Sequence, residues 1–127
     1  HRLSTMEMES AVLECEGVAE CAVIGIPDEI KGEVPLVFAR LADGVEGTKE
    51  LEEKITHNII EQIGKIASPK TIIFTEVLPK TVSGKIMRRL LKEIVSSGSV
   101  SGDITGLEDP STVAQIQNRI AEGKAIK

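Results

Sequence analysis

Residues 78–89 carry the densest chemistry in this sequence: Leu78-Pro79-Lys80-Thr81-Val82-Ser83-Gly84-Lys85-Ile86-Met87-Arg88-Arg89. Lys85 follows a glycine and precedes a helical pattern. That spacing puts its ammonium on a mobile loop, as a flexible point charge that can be delivered into another surface. The plainer alternative is a strand-to-helix turn whose basic residues merely solvate one face. The Gly84-Lys85 pair is not a P-loop, because Pro79 stands at the first glycine position and Ile86 replaces the Ser or Thr that would hold magnesium.

Other candidates are thin. The sequence has no Gly-x-Gly-x-x-Gly and no nucleophile elbow. His57 sits between Thr56 and Asn58, with no carboxylate or nucleophile specified beside it, and reads as a solvent-exposed helix residue. Cys15 and Cys21 match no zinc or thioredoxin spacing, so no metal site is expected in this domain. Both read as small buried apolar residues in a reducing compartment. The glutamates are spread over helix faces and single out no catalytic pair. A whole active site is absent.

The elements that position the lysine loop follow from periodicity. Ser4 with Glu7 forms a capping box, and Met8, Ala11, Val12 and Cys15 make an apolar helical stripe that ends at Gly17. Residues 20–26 and 34–41 read as two strands of a hairpin joined by a long turn-rich loop. Pro35 cannot donate to a ladder, which puts the second strand at an edge or makes its start irregular. Thr48 caps a second helix with Leu51, Ile55, Ile59 and Ile63 on one face, and Gly64 ends it. Residues 71–77 read as a third strand. A third helix begins near Ile86, burying Ile86, Leu90 and Ile94 and exposing Arg88, Arg89 and Lys92. The fold class is α+β: a small, mostly antiparallel three-stranded sheet flanked by helices, plus a short C-terminal tail helix. By domains, 1–95 is the folded unit, the Ser/Gly-rich 96–109 a flexible linker, and 110–127 a tail helix packing on the domain with Pro110 in its first turn.

Composition bounds the rest. A chain of 127 residues can bury roughly two-thirds of its unfolded surface, enough for a core without staples. Phe38 and Phe74 are the only aromatics, so Ile, Val and Leu must build that core. Fifteen basic against twenty acidic residues give a net charge of −5, which with the missing aromatics opposes nucleic-acid binding through Lys80, Lys85, Arg88, Arg89 and Lys92. No apolar run approaches membrane-spanning length, and no partner membrane is expected. The opening His1-Arg2-Leu3, running almost at once into a helix, suggests a piece of a longer polypeptide.

Read as a string, Pro79-Lys80-Thr81-x-Ser83-Gly84-Lys85-Ile86-x-Arg88 resembles the closing motif of the adenylate-forming acyl-CoA synthetases. Further segments agree in order. His1-Arg2-Leu3-Ser4-Thr5 with Glu7 and Glu9 resembles the opening of that family's small C-terminal domain, residues 18–28 its first long strand, and Lys31-Gly32 the turn after it. Asp103-Ile104-Thr105 and Leu107-Glu108-Asp109-Pro110 are similar to the acetyl- and propionyl-CoA synthetase branch.

The resemblance implies a ligase that uses ATP and coenzyme A as substrates and releases AMP and pyrophosphate, located in the cytoplasm. The nucleotide and acyl pocket, with Mg2+, would belong to a large N-terminal adenylation domain of the same chain. Lys85 matches the adenylation lysine, supported by Ser83 and Gly84 in its loop, and Arg2 matches an arginine near the AMP phosphate. His1 would follow a glycine that lines the pantetheine path. Close acetate-activating relatives carry a basic residue at the place of Ile60, where it meets a coenzyme A phosphate; Lys65 is the candidate to take that contact. Lys85 is also the expected target of a protein acetyltransferase and deacetylase. The competing expectation is a non-catalytic α+β interaction or regulatory module, which needs no missing residues.

Overall fold

The computed structural model describes residues 4–126, with side chains through residue 122. They fall into two compact units divided after Phe74. His1 and Arg2 lie outside the described residues.

Helix α1 spans Thr5–Leu13 and starts where the sequence places it. Ser4 is extended, and its Oγ accepts a hydrogen bond from the Glu7 N–H at 3.3 Å, satisfying one of the orphan donors of the first turn. Met8, Ala11 and Val12 are buried. Gly17, at φ +99, turns the chain into the sheet.

Strands β1 (Val18–Asp28) and β2 (Gly32–Leu41) pair antiparallel from Val18 opposite Leu41 to Asp28 opposite Gly32. The hairpin is longer and its loop shorter than expected, because Asp28 closes the turn itself. Its Oδ2 accepts from the N–H groups of Ile30 (3.2 Å) and Lys31 (2.9 Å), and the Lys31 bond holds the carboxyl below its ordinary pKa. Glu20 faces Arg40 directly across the ladder, joined by a 2.7 Å ion pair.

Two prolines lie within these strands without breaking them. The sheet order is β1-β2-β3, so β2 is the central strand and not an edge. The reason Pro35 is tolerated there is directional. Its carbonyl accepts from Lys70 N–H (2.8 Å), which shows that residue 35 faces the β3 side, and β3 starts only at Ile72. The absent donor therefore falls at the open end of that ladder. Pro27 lies opposite Glu33 on the edge strand β1.

Helix α2 (Lys49–Ile63) is capped by Thr48, whose Oγ1 accepts from Leu51 N–H at 3.1 Å, and it ends at Gly64 with φ +125. A 3₁₀ turn over Lys65–Ala67 leads to β3 (Ile72–Thr75). The fold is α+β as expected, but the sheet is mixed: β1 and β2 are antiparallel, while β3 enters after a helix long enough to bring the chain back in the same direction as β2. Val37 N–H donates to Thr71 carbonyl at 3.1 Å on that side. One core joins α1, α2 and one sheet face through Met8, Val12, Cys21, Val23, Val37, Ile55, Ile59 and Phe74.

In the second unit, helix α3 covers Arg88–Ser97 and α4 covers Ser111–Ile126. Leu90, Leu91 and Ile94 are buried on α3, which stops at Gly98 in the left-handed conformation. Ile86 precedes the helix and is half-buried. Asp109 caps α4 through Oδ1, which accepts from the N–H (3.0 Å) and Oγ (2.7 Å) of Ser111. Among the described residues of α4, Thr112 and Ile116 are buried, and the helix packs against α3. The intervening stretch is hydrogen-bonded to α3: Glu93 accepts from Ser101 N–H and Oγ, and Arg89 donates to Asp103 carbonyl at 3.0 Å.

Ile59 is fully buried in the first core. Ile59→Ala is expected to destabilise the chain by about 2–5 kcal/mol, measured as a lowered urea midpoint with the slope unchanged. A midpoint equal to wild type would show that α2 does not anchor this core.

Candidate functional site

The lysine motif is a tight, hydrogen-bonded hairpin. Gly84 N–H donates to Thr81 carbonyl (2.9 Å), closing a four-residue turn, and Thr81 N–H donates to Lys85 carbonyl (2.8 Å) one residue further on. Gly84 at φ +93 is the residue that lets the strand resume after the turn, the pattern of a turn followed by a glycine bulge. Lys80 then bridges Ile86, and Met87 N–H reaches Pro79 carbonyl at 2.7 Å.

Side chains reinforce the backbone. Thr81 Oγ1 accepts from Lys85 N–H at 3.1 Å and lies 3.0 Å from Ser83 Oγ. Ser83, Gly84 and Lys85 are all exposed at the tip, as is Val82. Behind them Leu78 and Pro79 are buried. A third segment supports the hairpin from its other side: Thr81 bridges Leu107, and Glu108 N–H donates to Lys80 carbonyl at 2.9 Å. The loop is thus a hydrogen-bonded platform from whose exposed tip the side chain of Lys85 reaches outward.

A model of the AMP-binding enzyme C-terminal domain matches residues 7–85, ending on this lysine. The chain belongs to the AMP-binding enzyme C-terminal domain family. It is 50% identical over 98% of its length to an acetyl-coenzyme A synthetase of Pyrobaculum arsenaticum, and 46% identical over 97% to one of Chlorobaculum tepidum. It spans 18% and 19% of those relatives' own lengths. Among solved structures, an acyl-CoA synthetase of Brucella canis aligns with a TM-score of 0.72 at 40% identity, over 77% of this chain and 18% of that one.

This AMP-binding C-terminal domain brings Ser83, Gly84 and Lys85 together in one turn. Lys65 belongs to the first unit, exposed on the 3₁₀ turn after α2, and Ile60 is half-buried on α2. His57 is exposed, as its sequence context indicates. Burial, with Glu14 beside it, pushes the Cys15 thiol above its ordinary pKa, the wrong direction for a nucleophile. Among the described residues, no group of three His, Cys, Asp or Glu could hold a metal ion, and no helix is long and apolar enough to cross a membrane. In the sequence Thr81 and Leu107 stand out only as members of motifs, with no structural role. The Thr-x-x-Gly spacing hints at the turn, whereas the pairing with residue 107 leaves no local signature.

A Cβ on Gly84 would meet nothing within 4 Å, so the cost of adding one is conformational alone. Gly84→Ala is expected to lower stability by about 1–2 kcal/mol, and Gly84→Asn by less, because asparagine visits the left-handed region more readily. Urea midpoints of both variants check this order. Equal midpoints for wild type and alanine would mean the turn does not need its glycine.

Proposed function

We propose that this chain is the small C-terminal domain of an AMP-forming short-chain acyl-CoA synthetase, with Lys85 as its adenylation lysine. The observation that carries the reading is Lys85 itself: an exposed ammonium on a hydrogen-bonded turn, at the end of the family match. The similarity to acetyl-coenzyme A synthetases over nearly the whole chain supports the acetate/propionate branch.

In the first half-reaction a carboxylate oxygen attacks the α-phosphorus of ATP. The bond to the pyrophosphate oxygen breaks, and acyl-adenylate and pyrophosphate form. Two anions must approach, and negative charge spreads over the phosphoryl oxygens. An ammonium held in place aligns the carboxylate and offsets that charge without reorganising at the moment of reaction. In the second, the sulfur of coenzyme A attacks the acyl carbonyl, its proton is lost, and the C–O bond to AMP breaks. A hinge transition of the small domain against its N-terminal partner gives each step its own face.

The other roles follow the same proposal. Ser83 and Gly84 shape the turn, and Arg2 contacts the AMP phosphate in the second conformation, where a guanidinium can bind two oxygens at once. His1 borders the pantetheine path, and Lys65 takes the coenzyme A phosphate contact that Ile60 cannot make. Residues 1–95 are the domain proper, 96–109 the connection and 110–127 its tail helix. Mg2+ is assigned outside this chain, and no step here passes through it. A cytoplasmic setting suits two free thiols. An exposed Lys85 amine also suits an acetyltransferase and a deacetylase, since acetylation removes the charge.

In the complete enzyme, Lys85→Ala is expected to slow adenylation by about 10²–10³-fold while sparing thioester formation from supplied acetyl-adenylate. Equal losses in both half-reactions would reveal a structural role instead. The purified 127-residue chain is expected to show no acetate-dependent ATP–pyrophosphate exchange. Sustained exchange by this chain alone would sink the division of labour between domains.

A further inference from the structure

Both peptide groups of Lys85 end on one residue. Its carbonyl accepts from Thr81 N–H at 2.8 Å, and its N–H donates to Thr81 Oγ1 at 3.1 Å. Thr81 carbonyl also takes the Gly84 N–H at 2.9 Å, and Thr81 Oγ1 contacts Ser83 Oγ at 3.0 Å. The Thr81 side chain thus meets both the Lys85 N–H and the Ser83 hydroxyl.

Thr81 is itself fixed from behind. It bridges Leu107, a buried side chain, and the neighbouring Lys80 carbonyl accepts from Glu108 N–H at 2.9 Å. Residues 80–81 therefore form the middle of three short extended segments, with the lysine side of the hairpin on one edge and residues 107–108 on the other.

We propose that Thr81 is a positioning residue for Lys85, acting through its γ-hydroxyl to set the direction in which the ammonium leaves the turn. The inference rests on the adenylation role proposed for Lys85. The chemistry is that of preorganisation. A lysine side chain has four rotatable bonds, so any looseness in its own peptide is magnified at the ammonium. Small misplacement of a group at a reacting centre costs far more in rate than in fold stability. The Lys85–Thr81 bond is solvent-exposed, and water can replace a lost partner there, so its removal leaves the fold standing.

The test uses the full-length enzyme with Thr81→Val, which keeps the β-branched shape and removes the hydroxyl, Thr81→Ser, which keeps the hydroxyl, and Lys85→Ala. Thr81→Val is expected to lower adenylation turnover by about ten- to a hundredfold, with the KM for ATP nearly unchanged. Its thioester half-reaction from supplied acetyl-adenylate should stay within about twofold of wild type, which also reports an intact fold. Thr81→Ser is expected to recover most of the adenylation rate. Hydrogen exchange across residues 80–90 should rise in the valine variant and not in the serine variant. Wild-type adenylation by Thr81→Val, equal losses in both half-reactions, or failure of serine to restore the rate overturns the positioning role while Lys85→Ala remains strongly slowed in adenylation. Full adenylation by Lys85→Ala overturns the underlying reading, and the Thr81 inference with it.

Discussion

End-to-end pairing of β1 with β2 is the constraint on which residues 4–74 depend. Along an antiparallel ladder each residue turns its N–H and C=O either toward its partner strand or away from it. That alternation decides what each position can hold. Pro35 and Val37 share the β3 side of β2, where Lys70 N–H finds the Pro35 carbonyl and Val37 N–H finds Thr71. Their opposite numbers Gly25 and Val23 then turn outward at the free edge of β1. Val23 N–H is taken by the Glu9 carboxylate at 2.8 Å, and Pro27, in the same register, has no donor to satisfy. An edge carrying one capped donor and one proline presents a poor template for another strand.

The same economy of backbone groups shapes the lysine turn. In the adenylation role proposed for Lys85, a point charge needs a fixed origin and an exposed end. The structure meets both demands by separating them. Backbone bonds and Thr81 hold the peptide of Lys85, buried Leu78, Pro79 and Leu107 anchor the strands behind it, and the ammonium end stays free to extend. Sites built on hydrogen-bonded elements keep their geometry better than sites on loose loops.

How much of this was legible in the sequence depends on the range of each interaction. Local signals read well: the Ser4 and Thr48 caps, the stop at Gly64, and the buried stripe of Leu51, Ile55 and Ile59 all act within a turn of helix. The position of β2 did not read, because the penalty on Pro35 depends on which side its N–H faces and where a strand thirty-odd residues away begins. The direction of β3 was hidden for a similar reason. At the site, the motif identified Lys85, Ser83 and Gly84 as neighbours in a loop, but it gave no hint that the loop is a bonded hairpin. The bond from Lys85 N–H to Thr81 and the bridge from Thr81 to Leu107 are the missing pieces, and the second spans a stretch whose Ser/Gly composition suggests only flexibility.

That bridge alters how the end of the chain is understood. The family match stops at residue 85, whereas the hairpin that carries Lys85 is completed by Met87, Leu107 and Glu108, all beyond it. Glu93 and Arg89 in turn bind Ser101 and Asp103, and Gln117 on α4 donates to the Gly98 carbonyl at 2.8 Å, so the segment between the two helices is tied at several points. The Ser101 bonds hold the Glu93 carboxyl below its ordinary pKa, because they favour the carboxylate form. The stretch after α3 is therefore part of the support of the lysine turn. Similarity to the acetyl-coenzyme A synthetases runs over 98% of the chain, through this support as well as the motif, and it is the support that gives the motif a defined direction.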